Sequence, residues 1–468
     1  MLFFVLACQS DKTDSGIIDA RYQDPWVLEE TEQRNGDPEI GYNYLLYGGY
    51  IGSGIPKEIF YQFFGTSSNN ILQREGESAN IPLPFNLFET PNGVEVVGGI
   101  NCFGCHSSSL QGEFVVGLGN SFNDYTRDDG SAYNMLSVLI KNTYGEDSPE
   151  WESYFRLGES SDVIGPHIVL PFYGINPAMS LEEAAVSRRD PQTLEWQSSP
   201  YFEISPMTVG SDVPPWWHVK KKNALYYNAV GRGDFAKLVM QICVVGVWDT
   251  EHAADIESHF PDVIAYLESI EPPVYPNELN EELMAEGKIL FEQNCSNCHG
   301  TYDVNPENET YPNKLVPVEE VGTDPYLAQG YTEYPGFLDW LQKSWFAQGE
   351  QAANFVGVPG YIAPPLDGVW ATAPYLHNGS IPNLEQLLDS SSRMTLWQRN
   401  FESSAYDFDK VGWPVENRTA EEYDALSTEE KYSIYNTSMT GYSNQGHVFG
   451  DHLSEQERIA IMEYVKSL

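Results

Sequence analysis

The chain has 468 residues, with 25 Lys and Arg against 68 Asp and Glu, and therefore a formal net charge of −43. This excess of negative charge repels a phosphate backbone or an anionic bilayer, so we expect no nucleic-acid partner. The 41% hydrophobic and 13% aromatic residues exclude a disordered acidic chain, because they supply enough apolar material for buried cores. At roughly 150 residues per domain, the length allows about three domains.

The first segment, residues 1–24, contains a short apolar run from Leu2 to Ala7 that ends at Cys8. The run is much too short to span a bilayer. It resembles the end of a bacterial lipoprotein signal, in which the cysteine after a small residue is lipidated; a clipped ordinary secretion signal is the alternative. Both interpretations predict an extracytoplasmic protein (periplasmic, secreted or an outer-membrane lipoprotein) whose only membrane contact is a possible lipid anchor at Cys8.

Two Cys-x-x-Cys-His runs are the most informative feature of the sequence. Their residues are Cys102, Cys105 and His106, and then Cys295, Cys298 and His299. On a helix, cysteines at i and i+3 lie on one face and a histidine at i+4 lies beside them. This geometry lets two thiols attach to the vinyl groups of one porphyrin while the imidazole binds its iron. The sequence therefore predicts two covalently bound haem c groups, haem 1 and haem 2.

Two other uses of these cysteines are possible from the residues alone. A zinc ribbon usually has its pairs roughly 15 to 20 residues apart, whereas Cys105 and Cys295 are 190 positions apart. A redox-active dithiol would be expected after a strand, and it gives no reason for the histidine that follows each pair. We therefore favour haem attachment over both alternatives.

The helical patterns favour two similar modules. Apolar spacing predicts a helix at 280–294 that runs into the second cysteine pair, and a Ser-x-x-Glu capping box begins a terminal helix at 454–468. A similar helix is predicted at 261–270, ahead of a Pro-rich linker at 271–278. We predict a mainly α-helical fold with long loops and two cytochrome c-like modules, 25–273 and 279–468, each with one covalently bound haem.

The sixth ligand of each haem iron decides between electron transfer and chemistry. His447 lies in a loop shortly before the terminal helix and is the preferred distal ligand of haem 2, with His377 and Met439 as alternatives. For haem 1 no ligand stands out. His218 is the best candidate, and an open position is an equally good interpretation.

At this point the chain resembles a known group, the extracytoplasmic dihaem cytochromes of the rubber-oxygenase type, which are distantly related to dihaem cytochrome c peroxidases and the MauG enzyme. Besides the two haem motifs, the resemblance is carried by 212–234 (DVPPWWHVKKKNALYYNAVGRGD) and 361–382 (YIAPPLDGVWATAPYLHNGSIP). The blocks, taken in order, cover residues 85–468. The resemblance implies that the N-terminal haem handles dioxygen or peroxide, while the other is six-coordinate and passes electrons.

The resemblance also implies roles for individual side chains. Trp216 or Trp217 matches the aromatic residue between the haems, and Tyr226 or Tyr227 would lie near the distal face of haem 1. His377 would lie near haem 2 or its propionates. These roles make the chain a possible haem-dependent oxygenase or peroxidase-like oxidoreductase; a pure electron carrier with both haems six-coordinate is the other hypothesis. The redox partner protein is not indicated.

The sequence departs from the family pattern at Ile362, Pro364 and Asp367, where two cations are lost and an anion is gained. If those cations offset propionate charge, the potential of haem 2 is lowered here. The chain is also shorter than the rubber-cleaving members, so polyisoprene is not implied as a substrate.

Three further features have weaker interpretations. The acidic run 124–129 could bind the Ca²⁺ that related peroxidases hold between modules, although a solvated loop is the simpler expectation. Cys243, in an apolar run, is expected to be a core thiol. Lys220, Lys221 and Lys222 could face haem propionates, dock an acidic partner or be plain surface charge.

Overall fold

The structure is a computed structural model that describes residues 26–128 and 130–468. The predicted leader, residues 1–24 with Cys8, lies outside the described residues. Helices and short antiparallel strands are interspersed along the chain, with 42% helix and 13% strand. The fold is therefore mixed, which corrects the expectation of a mainly α-helical protein.

The helices range from 4 residues in α3 to 20 residues in α8. Within the described residues they are α1 (Pro38–Tyr47), α2 (Lys57–Phe64), α3 (Cys102–Cys105), α4 (Gly130–Tyr144), α5 (Pro149–Ile164), α6 (Ala178–Val186), α7 (Phe235–Val239), α8 (Thr250–Ser269), α9 (Glu281–Asn294), α10 (Ser296–His299), α11 (Val318–Val321), α12 (Tyr326–Glu333), α13 (Pro335–Lys343), α14 (Leu384–Leu388), α15 (Ala420–Ala425), α16 (Thr428–Lys431) and α17 (Glu455–Val465). No helix in this part of the chain is both long and apolar enough to cross a bilayer.

The strands are short and pair antiparallel. They are β1 (Ile55–Pro56), β2 (Phe85–Glu89), β3 (Glu95–Gly99), β4 (Ser107–Leu110), β5 (Glu113–Val116), β6 (Gly231–Gly233), β7 (Leu315–Pro317), β8 (Ala353–Phe355), β9 (Gly360–Ile362), β10 (Leu396–Arg399), β11 (Val415–Asn417) and β12 (Ile434–Asn436). They form the sheets β1-β3-β2, β11-β10-β12, β4-β5, β6-β8 and β7-β9. Strands of two to five residues are too short to show a period in the sequence, so no pattern predicted them.

The predicted helices are present, with one changed boundary. α9 begins after Asn280, whose side chain accepts hydrogen bonds from the first free N–H groups. α17 begins after Ser454 with the predicted capping box. The helix expected at 261–270 is the second half of α8, which begins earlier because Asp249 caps it, and Pro261 lies inside it.

Two pairs of helices cross at a glycine, one pair in each half of the chain. α1 packs on α8, and α9 packs on α17. A Cβ at Gly41 would collide with the Asp262 carbonyl, and a Cβ at Gly287 would collide with the Ala460 carbonyl. Because glycine has no side chain, the backbones of each pair come into contact. The α9–α17 pair thereby fixes the start of the second Cys-x-x-Cys-His run.

Each of the two largest hydrophobic cores draws residues from both sides of the linker at 271–278. The first core contains Phe103, Trp216 and Phe260 together with Trp340. The second core contains Phe291, Trp370 and Tyr464 together with Trp217. The halves are thus packed into each other, and the boundary between modules 25–273 and 279–468 stays a prediction.

A seven-residue turn occurs twice, at 225–231 and 375–381, with a constant offset of 150 positions. In each copy the first and last residues form an isolated antiparallel bridge. The second residue, Tyr226 or Leu376, has a φ of 66° or 65°. The fourth residue, Asn228 or Asn378, accepts a side-chain hydrogen bond from the N–H two positions later. Two copies with the same geometry indicate an internal repeat.

The two copies of the repeat contact each other reciprocally. The N–H of Asp212 donates to the His377 carbonyl at 2.8 Å, and the N–H of Ile362 donates to the Tyr227 carbonyl at 2.8 Å. The two donors, Asp212 and Ile362, are 150 positions apart, and so are the two acceptors, Tyr227 and His377. Such reciprocal contacts are typical of an isologous interface, so the two copies are related by a local pseudo-two-fold axis.

Candidate functional site

The first Cys-x-x-Cys-His run forms α3 and the residue after it. The helix places Cys102 and Cys105 one turn apart on one side, and the N–H of His106 donates to the Cys102 carbonyl at 3.0 Å. The Cys105 thiol lies 3.1 Å from Nδ2 of Asn176 and 3.7 Å from the Tyr125 hydroxyl. We call the two thiols and the His106 imidazole, which lie together at this helix, the first site.

His106 is a neutral imidazole at this site. Its ring stacks on Trp216, with the centroids 5.1 Å apart and an interplanar angle of 20°. Burial lowers the pKa of His106 to about 4, so the ring is unprotonated at neutral pH. Its Nδ1 is buried and has no hydrogen-bond partner within the described chain. A neutral imidazole is the form that ligates a metal.

The second site consists of Cys295, Cys298 and His299, directly after α9. Nδ1 of His299 lies 2.9 Å from the carbonyl oxygen of Pro364. Because a carbonyl only accepts hydrogen bonds, Nδ1 carries the proton and Nε2 is left with a lone pair. A histidine that donates one ring N–H to a carbonyl is oriented as metal-ligating histidines usually are. The residues present at this site fit a metal-bound imidazole.

His447 lies opposite His299, with ring centroids 6.3 Å apart. Two imidazoles that bind one metal ion from opposite sides, with bonds of about 2.0 Å, have centroids about 6 Å apart. Burial lowers the pKa of His447 to about 4, and its Nδ1 is buried without a partner in this part of the chain. The second site therefore has two neutral imidazoles at a spacing that suits one six-coordinate iron.

The other candidate ligands have different surroundings. Nε2 of His218 lies 2.8 Å from the Asp367 carbonyl, so this nitrogen already has a partner. His377 stacks on Tyr361 at 3.9 Å, and its Nε2 is buried without a partner in the described chain. Met439 is partly exposed. Among residues 26–128 and 130–468, no second histidine ring faces His106 as His447 faces His299.

The two consecutive tryptophans have different surroundings. Trp216 stacks on His106, while Nε1 of Trp217 donates to the Asp367 carbonyl at 2.8 Å. Asp367 is three residues after Pro364, the carbonyl partner of the histidine at the second site. The sequence left open which tryptophan matters; the structure puts Trp216 beside the first site and directs Trp217 to the second.

The two tyrosines also differ. Tyr226 lies with its hydroxyl 3.4 Å from both the Leu238 carbonyl and Oε1 of Gln241. The Tyr227 hydroxyl donates to Oδ2 of Asp212 at 2.8 Å. Burial raises the pKa of Asp212 to about 7, and the Tyr227 hydrogen bond opposes part of that shift. Asp212 is a polar partner that no sequence pattern indicated.

The thiols are poor candidates for dithiol chemistry. Burial raises the pKa of Cys102 to about 12 and that of Cys295 to about 11, whereas reactive thiols need a lowered pKa. All five cysteines in the described residues are free, including buried Cys243. This part of the chain contains no cluster of three or more His, Cys, Asp or Glu side chains able to hold a metal, so the two cysteine pairs do not assemble as a zinc ribbon requires.

The three lysines have separate surroundings. Lys220 pairs with exposed Glu271 at 2.7 Å. Lys221 pairs with Asp367 at 2.6 Å and with Glu309 at 2.7 Å, and Lys222 is buried. The anion at Asp367 therefore has a cationic partner, which reduces the extra negative charge that the sequence predicted near the second site.

The acidic run at 124–129 is only partly described, because residue 129 lies outside the described chain. Oδ1 of Asp124 accepts hydrogen bonds from the N–H and hydroxyl of Thr126, and Oδ1 of Asp128 accepts one from the N–H of Gly130. These are local turn contacts. A Ca²⁺ site here stays a prediction.

Comparison with known proteins gives a partial match. The sequence pattern of the family described as RoxA-like, cytochrome c-like matches residues 360–398. This segment begins at β9, contains Pro364, His377 and Arg393, and ends in β10. Residues 360–398 are thus similar to part of a RoxA-like, cytochrome c-like family, and this likeness supports a covalently bound haem c.

Two curated relatives come from Sinorhizobium fredii (strain NBRC 101917 / NGR234). The uncharacterized protein y4iM is 27% identical over 277 residues, which cover 54% of this chain and 60% of that protein. The uncharacterized protein y4iJ is 29% identical over 262 residues, which cover 42% of this chain and 41% of that protein. The chain thus spans less than two thirds of either relative, and neither name states an activity.

Proposed function

We propose that the chain is an extracytoplasmic dihaem c-type cytochrome and an oxidoreductase. In this proposal the first site holds an open haem for dioxygen or peroxide, and the second site holds a six-coordinate haem that relays electrons. The observation that carries the proposal is the contrast between the sites: His447 lies opposite His299 at 6.3 Å, whereas His106 has no such histidine among the described residues.

The proposal of a second haem rests on the likeness of the two halves. Each half has a Cys-x-x-Cys-His run and a helix pair that crosses at a glycine. Each also has one copy of the repeated turn, and the copies are joined by equivalent hydrogen bonds. A Pro-Pro pair precedes each turn at the same offset of 150 positions. The carbonyl of Pro364 accepts a hydrogen bond from Nδ1 of His299, and the equivalent Pro214 carbonyl opposes part of the lowering of the His106 pKa by burial.

When bound, haem c supplies an iron that changes its oxidation state by one electron and that takes an external ligand only where its sixth position is open. At the second site His299 and His447 would together hold the group and leave no room for an external ligand. At the first site His106 supplies one imidazole, and no other histidine of the described chain takes the opposite side. In this proposal the first site therefore binds the external ligand, and the second site only stores and passes electrons.

Side chains between the sites suit proton and electron movement. Oδ2 of Asp212 accepts a hydrogen bond from the Tyr227 hydroxyl, and because burial raises the pKa of Asp212 to about 7, this carboxyl can hold or release a proton. Trp216 and Trp217 form an aromatic connection from His106 towards the Asp367 carbonyl. We propose this connection as the route for electrons and the Tyr227–Asp212 pair as a proton site.

The proposed location follows from the chemistry and from the leader. Covalent haem attachment normally happens outside the cytoplasm, and residues 1–24 resemble a secretion or lipoprotein signal. A surface with a net charge of −43 favours a redox partner that is basic or that docks through a local cationic patch.

The experiment is spectroscopy of the purified holoprotein, made in a host that attaches haem c. We expect two haem c groups per chain by haemochrome assay, and carbon monoxide binding to one of them after reduction. Two haems inert to carbon monoxide and to peroxide would instead establish the pure electron carrier. A single haem per chain would contradict the dihaem proposal.

A further inference from the structure

We propose that Arg393 is the positioning residue that keeps His447 in ligating position at the second site. The inference rests on the proposed function, because it assumes that His447 is the sixth ligand of the second haem. Arg393 is no part of either Cys-x-x-Cys-His run, and no pattern in the sequence distinguishes it.

Every N–H group of the Arg393 guanidinium is used. A guanidinium has five N–H donors in a fixed planar arrangement. The acceptors are five backbone carbonyls: Gln386 for Nε at 3.0 Å, Asn444 and Gly446 for Nη1 at 2.7 and 2.6 Å, and Leu387 and His447 for Nη2 at 3.1 and 3.1 Å. The side chain is therefore fully satisfied without any anionic partner, which is a structural use of arginine.

The five carbonyls belong to two separate segments. Three lie in the loop 441–450, which carries His447, and two lie in α14. α14 packs against α17, and α17 packs against α9, the helix that leads into the second cysteine pair. Arg393 thus ties the loop with His447 to the same helices that position His299.

The loop needs such support, because its backbone is in an unfavourable conformation at the ligand itself. His447 has a φ of 45° and Gly446 a φ of 74°, in the left-handed region that non-glycine residues rarely adopt. Conformations of this kind persist only where surrounding contacts hold them. One other contact is the hydrogen bond from the N–H of His447 to the Val321 carbonyl at 2.8 Å. On the other side, the Arg393 contact holds the carbonyl of the same residue.

Lysine cannot replace this arrangement. Its ammonium group has three donors at one point, whereas the five carbonyls surround a planar fork. We therefore expect Arg393→Lys to keep the positive charge and lose the bridge between the loop and α14. We expect Arg393→Gln to lose both the positive charge and the bridge between the loop and α14.

The test compares holoproteins that carry Arg393→Lys, Arg393→Gln or Arg189→Lys. Arg189 is the matched control: it is buried and donates to the Leu194, Val245 and Val247 carbonyls, which do not belong to the loop of His447. The readouts are the low-spin ferric signal, carbon monoxide bound per chain after reduction, and the melting temperature. None of them requires turnover.

We expect both Arg393 variants to lose at least half of the low-spin signal and to bind up to about one additional carbon monoxide per chain. Arg189→Lys should lower the melting temperature and leave both haem readouts unchanged. If Arg393→Gln does not fold, Arg393→Lys carries the test. An unchanged low-spin signal in the folded Arg393 variants, or an equal loss in Arg189→Lys, overturns the proposal.

A His447→Gly variant separates this inference from the function on which it rests. If His447→Gly loses the low-spin signal and added imidazole restores it, while the Arg393 variants are normal, the ligand assignment stands and the role of Arg393 is wrong. If His447→Gly retains the full low-spin signal, His447 is not the sixth ligand. Both the ligand assignment and the proposed role of Arg393 are then wrong.

Discussion

The two Cys-x-x-Cys-His sites have the same three residue types and different surroundings. At the second site, Pro364 fixes His299 from one side and His447 faces it from the other, in a loop tied down by hydrogen bonds. At the first site, His106 stacks on Trp216 and faces no second histidine in the described chain. The difference teaches that the attachment motif sets where a haem is bound, whereas the opposite side of the pocket sets what it can do.

The largest effect is expected when the two cysteines of one site are removed and those of the other are kept. We expect Cys102→Ala/Cys105→Ala to retain only the low-spin haem, and Cys295→Ala/Cys298→Ala to retain only the haem that binds carbon monoxide. The reason is that, in the proposed function, each thiol pair holds one porphyrin next to its own histidine. Haem content and spin state of the purified variants are the measurements, and retention of the same haem in both variants would contradict the assignment.

The connection between the sites is tested by Trp217→Phe. This change removes the indole N–H donated to the Asp367 carbonyl, which keeps its hydrogen bond from Nε2 of His218, so the unfolding free energy should fall by only about 1 kcal/mol. It should also slow electron transfer between the haems, measured by stopped-flow reduction. Trp413→Phe is the control, since its Nε1 makes an equivalent bond to the Ala373 carbonyl at 2.9 Å and does not link the sites. Equal electron-transfer rates in both variants would show that Trp217 only packs.

The half with the first site also contains buried carboxyl groups, so we expect the unfolding free energy to depend on pH. Burial raises the pKa of Glu182 to about 8, above its ordinary value of about 4.5. Between these values the folded state binds the proton more tightly than the unfolded state, so this contribution to the unfolding free energy falls as pH rises. Buried neutral histidines act in the opposite direction only below about pH 6.5.

From pH 6.5 to 8 we therefore expect Glu182 to account for a fall of about 1 to 2 kcal/mol in the unfolding free energy. Glu182→Gln should flatten the profile, measured by denaturant unfolding of the holoprotein. Glu183→Gln should flatten it less, because the pKa of Glu183 is raised only to about 7 and its carboxylate accepts a hydrogen bond from the N–H of Ser205. A profile that is unchanged in Glu182→Gln would contradict the buried protonated carboxyl.

The smallest expected effect concerns the charge near the second site. Asp367→Asn removes an anion that Lys221 already neutralises in part, so the potential of the second haem should rise by less than about 60 mV. Lys221→Met should lower the same potential, because Asp367 and Glu309 both lose their cation. Redox titration followed in the low-spin band measures both. Shifts of the same sign in the two variants would show that charge is not the cause.

What the sequence could predict was local. The Cys-x-x-Cys-His spacing, the Asn280 and Ser454 caps, and a histidine shortly before the terminal helix all lie in short segments, and the structure contains the predicted helices and brings His447 opposite His299. The short strands were missed because two to five residues show no period.

The contacts between distant segments were beyond sequence reasoning. The repeated turn was hidden because its copies are 150 positions apart, whereas the two cysteine motifs have a different separation. Arg393 was missed because its acceptors are backbone carbonyls, which have no residue-type signature. The sequence could not distinguish Trp216 from Trp217, because the distinction depends on which ring stacks on His106.

The most direct test of the central claim, that the two sites differ in coordination, is low-temperature electron paramagnetic resonance of the fully oxidised holoprotein. The account predicts high-spin and low-spin ferric haem in equal amounts, with the low-spin part alone lost in Cys295→Ala/Cys298→Ala. Two low-spin signals that both persist in the presence of peroxide, or a high-spin signal that disappears with the second attachment site, would contradict it.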